Sequence, residues 1–288
     1  TTGTLVAWAY PERVALARPG QRGRFQLVNG RGAWLDPADP LAGEAVLAAA
    51  HLDGQRREAR IFLAASHDRH ELEVQFADQL ETHRHLMWDM DRGRVQAVSS
   101  RRLGALVLKE RPWATPPPEQ VQAVLLEGVQ RCGLDSLPWT NDLRRWVQRA
   151  AFAGRWWAAE GTWPGFDAAT LADELDQWLG PFLSGCRSIQ DIGSHRLRQA
   201  LTARLAWSQQ AAIDQLAPTH VTVPSGSRLP VDYAEDPPVL KVRIQEMFGA
   251  TQTPAVAGGR QPLLLHLLSP AQRPMQVTQD LRTFWTAA

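Results

Sequence analysis

Catalytic and phosphate-handling chemistry leaves recognisable spacings, and this 288-residue sequence lacks most of them. A Walker-type phosphate loop needs Gly-Lys-Ser/Thr, so that backbone amides and an ammonium cradle a nucleotide's phosphates. The two lysines, Lys109 and Lys241, each follow a leucine. His70-Glu71 opens an HExxH pattern, but Val74 stands where the second zinc-binding histidine would be. There is no GxSxG nucleophile elbow and no GxGxxG dinucleotide turn. His67, His70, His83 and His85 fall within 19 residues, an HxxH followed by an HxH. No cysteine joins them, and opposite pleats splay neighbouring strand residues, so they read as surface histidines and no metal is expected. His220 and His266, each inside an apolar run, read as satisfied core groups.

The remaining chemistry is cationic and aromatic. Arg22, Arg24 and Arg31 border one hairpin signal, while Arg101, Arg102, Lys109 and Arg111 track a later strand. Cations that follow a phosphate backbone, with Trp34 and Trp88 as stacking faces, suit a single-stranded nucleic acid. The same arginines would also keep an exposed strand edge soluble. Ser225-Gly226-Ser227-Arg228 has the make-up of an anion nest, and equally that of an ordinary hairpin turn.

Composition bounds these readings. Lys plus Arg is 31 against 30 acids, so no global field advertises a nucleic-acid partner. Of the 31 cations 29 are Arg, and there are 12 Trp against 2 Tyr. Arg and Trp grip phosphates and stack on bases, although a GC-rich genome produces the same bias. No apolar run nears the ~18 residues of a membrane span, and no signal-peptide pattern opens the chain. The missing initiator Met leaves room for a preceding segment. Two cysteines without a CxxC, Cys132 and Cys186, exclude a disulfide scaffold and a zinc ribbon, and a reduced, cytoplasmic setting is expected.

The elements that must position these groups fall into an α+β, multidomain plan. Residues 1–19 hold a helical remnant, Leu5 to Tyr10, before Pro11. Residues 20–115 have β texture: runs 24–28 and 32–35 flank Asn29-Gly30, and runs 46–52 and 58–64 flank Asp53-Gly54. A helix over 68–80 places Leu72, Phe76 and Leu80 four apart, and strands 84–89 and 94–109 flank Asp91-Arg92-Gly93. The pattern predicts a five-strand OB-like barrel with a helix between its third and fourth strands. Pro116-Pro117-Pro118 marks a linker.

Residues 116–218 carry helical periodicity and predict a small bundle with Trp on inner stripes, Ser188 capping one helix three residues before Asp191. Residues 219–288 predict a small α+β module. Its parts are a hairpin around Pro224 to Ser227, a helix with Leu240, Ile244, Met247 and Phe248 on one face ending at Gly249, a buried strand 263–268, and a last helix with Val277, Leu281, Phe284 and Trp285.

Three segments carry a family resemblance. Arg102-Leu103-Gly104-Ala105-Leu106-Val107-Leu108-Lys109-Glu110-Arg111-Pro112 resembles a stretch of the HrpB-type ATP-dependent helicases, a bacterial DEAH-box family. Pro218-Thr219-His220-Val221-Thr222-Val223-Pro224-Ser225-Gly226-Ser227-Arg228 resembles a second. The third is Pro262 to Pro270, continuing through Gln276-Val277-Thr278 to Phe284-Trp285. Ala9-Tyr10-Pro11-Glu12-Arg13 fits the end of that family's helicase-associated helical domain.

The resemblance implies the OB-like domain and C-terminal extension of an RNA helicase whose two RecA-like motor domains precede this stretch. ATP and Mg would belong to those domains, with no cofactor and no catalytic residue here. The implied partners are single-stranded RNA or DNA and the protein's own motor domains, with no membrane. Family members continue past Phe-Trp with a tail rich in Arg, Tyr, Pro and Trp, whereas this chain stops at Ala288. On this reading Arg24, Arg31, Trp34, Trp88, Arg101, Arg102, Lys109 and Arg111 meet nucleic acid, with Ser225, Ser227 and Arg228 as a second patch. The rival reading is a protein-interaction platform docked on the motor or a regulatory partner, which the near-zero net charge suits.

Overall fold

In the computed structural model, residues 1–54, 58–159 and 161–287 are described. The chain forms two compact units, Thr1–Met87 with Gln96–Pro117, and Trp88–Val95 with Pro118–Ala288. No described helix is long and apolar enough to cross a membrane.

The first unit opens with α1 (Thr2–Ala9), whose first turn is capped by the Thr1 hydroxyl accepting from the Thr4 amide. β1 (Val14–Ala17), β2 (Arg24–Leu27), β3 (Gly32–Trp34), β4 (Val46–Leu52) and β5 (Glu58–Ser66) follow. They close into a barrel of order β1-β2-β3-β5-β4, with β3 and β5 parallel and β1 paired to β4. This is the OB-like barrel, closed so that no strand keeps an open edge.

Alternation sorts its two faces. Ala15, Phe25, Leu27, Ala33, Leu47, Ala49 and Ile61 fill the interior. Their neighbours Val14, Val46 and Ala48 point outward and are buried under Ala7 of α1 and Leu72 and Phe76 around α2 (Arg69–Gln75). Asn29-Gly30 makes the β2–β3 turn, with Gly30 at φ 86° and the Asn29 side chain accepting from the Arg31 amide at 3.0 Å.

The strand map differs from the sequence pattern. The barrel is complete before α2, and its first strand is Val14–Ala17, which sits in the stretch read as helical remnant. Between the third and fourth strands lies only a 3-10 turn, Pro40–Gly43. A four-residue apolar run has no room to display a period, so only its pairing reveals it as a strand. The later runs form a separate three-stranded sheet of β6 (Leu80–Asp89), β7 (Arg94–Leu103) and β8 (Leu106–Pro112). The run 94–109, read as one strand, reverses at Gly104, whose φ of 53° suits glycine.

The second unit begins with helices α3 (Pro118–Cys132), α4 (Asn141–Gly154), α5 (Ala168–Asp173), α6 (Leu175–Trp178), α7 (Ile189–Thr202) and α8 (Trp207–Leu216). Leu125, Val129, Leu143, Ala150, Leu171, Leu175, Trp178, Leu197 and Leu201 are its buried stripes. Trp207, by contrast, is 85% exposed. Ser188 and Asp191 form a capping box, and the amides of Arg187 and Ser188 hold the Asp191 carboxyl below its usual range. The β6–β7 tip is pinned here, with Val95 N–H donating to the Arg187 carbonyl at 2.7 Å and Ile189 N–H to that of Gly93 at 3.1 Å.

The chain then forms β9 (His220–Thr222), β10 (Arg228–Asp232), β11 (Val239–Arg243), β12 (Ala255–Val256), β13 (Gln261–Pro262), β14 (Leu264–Leu268), β15 (Pro274–Thr278) and α9 (Leu281–Ala287). Five of these strands make a sheet of order β15-β14-β11-β10-β9, with β11 and β14 parallel.

Three expectations are corrected here. Leu240 and Ile244 do not share a helix: Val239–Arg243 is an inner strand, followed by a 3-10 turn over Ile244–Met247. A buried strand running into a turn mimics helical spacing over nine residues, because both bury neighbouring apolar side chains. Val277 likewise lies in β15, and the final helix starts at Leu281. His220 is exposed and His266 half-buried on their strands, so neither is a core group.

Candidate nucleic-acid interface

The β7–β8 hairpin gathers the cations. Its register sets Arg101 opposite Lys109 and Ser99 opposite Arg111, with a bulge between Arg101 and Arg102. Cross-strand partners share a face, as do residues two apart, so Arg101, Lys109 and Arg111 project together. All three are exposed. Like charges set directly opposite each other destabilise a sheet, so this arrangement has a cost that solubility alone does not require. Glu73 of α2 lies 3.6 Å from Arg101 and is the carboxylate paired with it. Arg102, turned by the bulge, is half-buried and donates from Nε to Ser100 Oγ at 3.0 Å.

Apolar packing holds this hairpin in place. Leu103, Leu106 and Leu108 are buried with Leu72 and Phe76, and Arg69 donates to the Leu108 carbonyl. At the turn, Ala105 N–H donates to the Val28 carbonyl at 2.8 Å. A Cβ on Gly104 would lie 2.6 Å from that same oxygen, so the turn sits against β2's end only because residue 104 has no side chain.

The barrel cations are held differently. Arg24 pairs with Glu58 and lies 5.8 Å from the Trp34 ring, while Arg18 reaches the same carboxylate at 3.4 Å. Arg60, which the sequence pattern did not single out, is the other guanidinium against Trp34, 5.4 Å from its ring. Its signal was available: Arg60 alternates with buried Ala59 and Ile61. Arg31, at the β2–β3 turn, is half-buried.

Trp88 belongs with neither group. Its indole rests on Gly128 of α3, where a Cβ would come within 2.2 Å of the ring, so a helix occupies the face read as a stacking surface. The signal for this was a glycine inside a helical stripe, which marks close approach.

Ser225, Ser227 and Arg228 lie at the β9–β10 turn. The Ser225, Gly226 and Ser227 amides donate to the Glu246 carbonyl, the Val223 carbonyl and the Ser225 hydroxyl at 3.2, 2.8 and 3.3 Å. Arg228 is exposed. The turn chemistry therefore uses the amides that a nest would offer to an anion.

His67 is buried, its Nε2 3.0 Å from Gln75 Oε1, and Glu71 is 3.9 Å from Nδ1. Among the described residues no group of three or more His, Cys, Asp or Glu is arranged to hold a metal ion. The sequence has no Gly-Lys-Ser/Thr phosphate loop.

Two families match this chain: one described as ATP-dependent helicase C-terminal over residues 178–288, and one described as ATP-dependent RNA helicase HrpB, connector region, over residues 79–113. The sequence is 40% identical over 99% of its length to ATP-dependent RNA helicase HrpB of Escherichia coli K12. It spans 35% of that relative's length. Two crystal structures are similar in fold: E. coli DExH-box NTPase HrpB (TM-score 0.57, 39% identity) and Escherichia coli DEAH/RHA helicase HrpB (TM-score 0.54, 36% identity). They cover 100% and 99% of this chain, which covers 36% of each. The barrel, the hairpin sheet and the C-terminal module are thus one stretch of a known helicase architecture, and the chain belongs to the HrpB family as part of its connector and C-terminal regions.

Proposed function

We propose that this region serves an ATP-dependent RNA helicase as an accessory element, gripping single-stranded RNA along the β7–β8 hairpin and bracing the motor domains that bind ATP and Mg. The observation that supports it is the shared face of Arg101, Lys109 and Arg111, three exposed cations of which, among the described residues, Arg101 is paired with a carboxylate, Glu73. Arg102 belongs to the same hairpin, Arg24, Arg31 and Trp34 form a separate contact on the barrel, and Ser225, Ser227 and Arg228 form a weaker patch.

Each phosphate contact on a single strand lowers log K by about 0.7 per decade of salt. Three contacts therefore predict affinity falling about 15- to 20-fold over a fourfold rise in salt. Fluorescence anisotropy with labelled single-stranded RNA at two salt concentrations tests this, and the variant Arg101→Ala/Lys109→Ala/Arg111→Ala should bind weakly with a shallow slope. Unchanged affinity and slope in that variant would overturn the hairpin assignment. The bracing role predicts that adding this region in trans alters the motor's ATPase rate.

The near-neutral balance of 31 cations against 30 acids favours a second reading, docking on protein alone. That reading requires no RNA binding even at low salt.

A further inference from the structure

The barrel has one outer face that nothing within its unit's apolar clusters covers. Outward residues of β1 and β4, such as Val14 and Ala48, are buried under α1 and α2. On β2, β3 and β5 the outward residues are Arg24, Trp34, Arg60 and Phe62, which are exposed or half-buried. Phe62 is 53% exposed, and Leu63 beside it 62%. Large apolar groups on a closed barrel's outer wall call for a physical reason, since burial of each is worth ~2 kcal/mol.

These side chains form a continuous line. Arg24 and Arg60 lie 5.8 and 5.4 Å from the Trp34 ring, Arg60 lies 5.4 Å from Phe62, and Phe62 lies 5.2 Å from the His51 ring. Register irregularities on both sides of His51 in β4 accompany its turn to this wall. Among the described residues no carboxylate pairs with Arg60, whereas Glu58 serves Arg18 and Arg24. Trp34 is half-buried with two guanidiniums against it, whereas Phe62 and His51, although each has a ring neighbour, are exposed and so keep more open π surface.

We propose that this line is a base-stacking platform for single-stranded nucleic acid, with bases on Phe62 and His51 and a phosphate on Arg60. Alternating cations and aromatic faces match the alternation of phosphates and bases along a strand, whereas a purely apolar protein contact has no use for Arg60. Stacking needs no 2′-hydroxyl, so the platform takes RNA and DNA alike. The proposal deepens the RNA-binding reading and rests on it, but it names a surface separate from the hairpin.

The test is anisotropy of the full 288-residue chain with labelled U12 and T12 and with a 12-mer of abasic sites. Phe62→Ala should weaken U12 and T12 about tenfold at fixed salt without changing the salt slope. Phe62→Leu, which keeps the apolar bulk and the thermal midpoint, should weaken binding similarly, and Phe62→Tyr should restore it. Arg60→Ala should make the slope shallower by about 0.7. The abasic strand should not distinguish Phe62→Ala from wild type, and 5-iodouridine should cross-link to the Phe62 peptide.

Wild-type affinity in Phe62→Ala together with no cross-link there would overturn the platform. The hairpin assignment would then survive if its triple variant still loses binding. Absence of wild-type binding to both strands at low salt would overturn both, leaving the wall to a protein contact.

Discussion

The β7–β8 hairpin and the β2–β3–β5 wall of the barrel are both rich in arginine, yet they hold it in opposite ways. On the hairpin, three cations sit on one strand pair with Glu73 beside one of them. On the wall, the guanidiniums of Arg24 and Arg60 lie over rings, and Glu58 pairs with Arg24 as well as with Arg18. The hairpin therefore offers charge, which reaches far and is screened by salt, while the wall offers faces, which act at contact and are not. Two chemistries of one ligand would be served by two neighbouring devices in the same 109-residue unit, Thr1–Met87 with Gln96–Pro117.

Perturbing each device should separate them. The largest effect is expected from Gly104→Val, which forces a side chain into a left-handed turn and against the Val28 carbonyl. A loss of about 2–4 kcal/mol is expected in denaturant unfolding, with weaker RNA binding as the hairpin shifts. If stability is unchanged, the turn is not what fixes the cations.

Next is the hairpin triple variant, whose RNA affinity at moderate salt should fall roughly tenfold or more and whose salt slope should flatten by about two units. An intact slope would remove the contrast with the wall. A smaller effect in the opposite direction should come from Glu58→Gln. Freeing Arg18 and Arg24 should raise RNA affinity about two- to fivefold at low salt and steepen the slope, as read by the same titration.

The smallest effect concerns the start of α7 beside the β6–β7 tip, where Asp191 accepts from the Arg187 and Ser188 amides at 2.9 Å. Asp191→Ala should cost about 1 kcal/mol at neutral pH and leave RNA affinity unchanged. The Asp191 carboxyl is depressed in the folded state, chiefly by the Arg187 amide, so its contribution is complete above the ordinary value of 3.8. It is lost as pH falls through the lower folded value, and the gap between variant and wild type should close there.

Much of this was written in local sequence. Asn29-Gly30 and the Ser188 to Asp191 spacing each specify a turn or cap through bonds a few residues long, and the structure has both. The segment from Arg102 to Pro112 carried the family; its burial alternates over Leu106 to Leu108, and Lys109 to Pro112 are all exposed. What was not legible depended on distant partners. Val14–Ala17 becomes a strand by pairing with β2 and β4, and Val239–Arg243 by lying between β10 and β14. Glu58 meets Arg24 across 34 positions, and Trp88 finds Gly128 through a fold that periodicity does not encode. The hairpin cations were found by type and order, but their common face needed the register.

The polypeptide passes between its two units at 87/88, 95/96 and 117/118. No single cut can then partition the molecule cleanly. Cleavage within Pro116–Pro118 would leave residues 88–95 on the N-terminal fragment while their packing partners, Gly128 and Ile189, lie on the C-terminal one. The nicked halves should elute together under native conditions and part only in denaturant, and separately produced halves should find each other by fragment complementation.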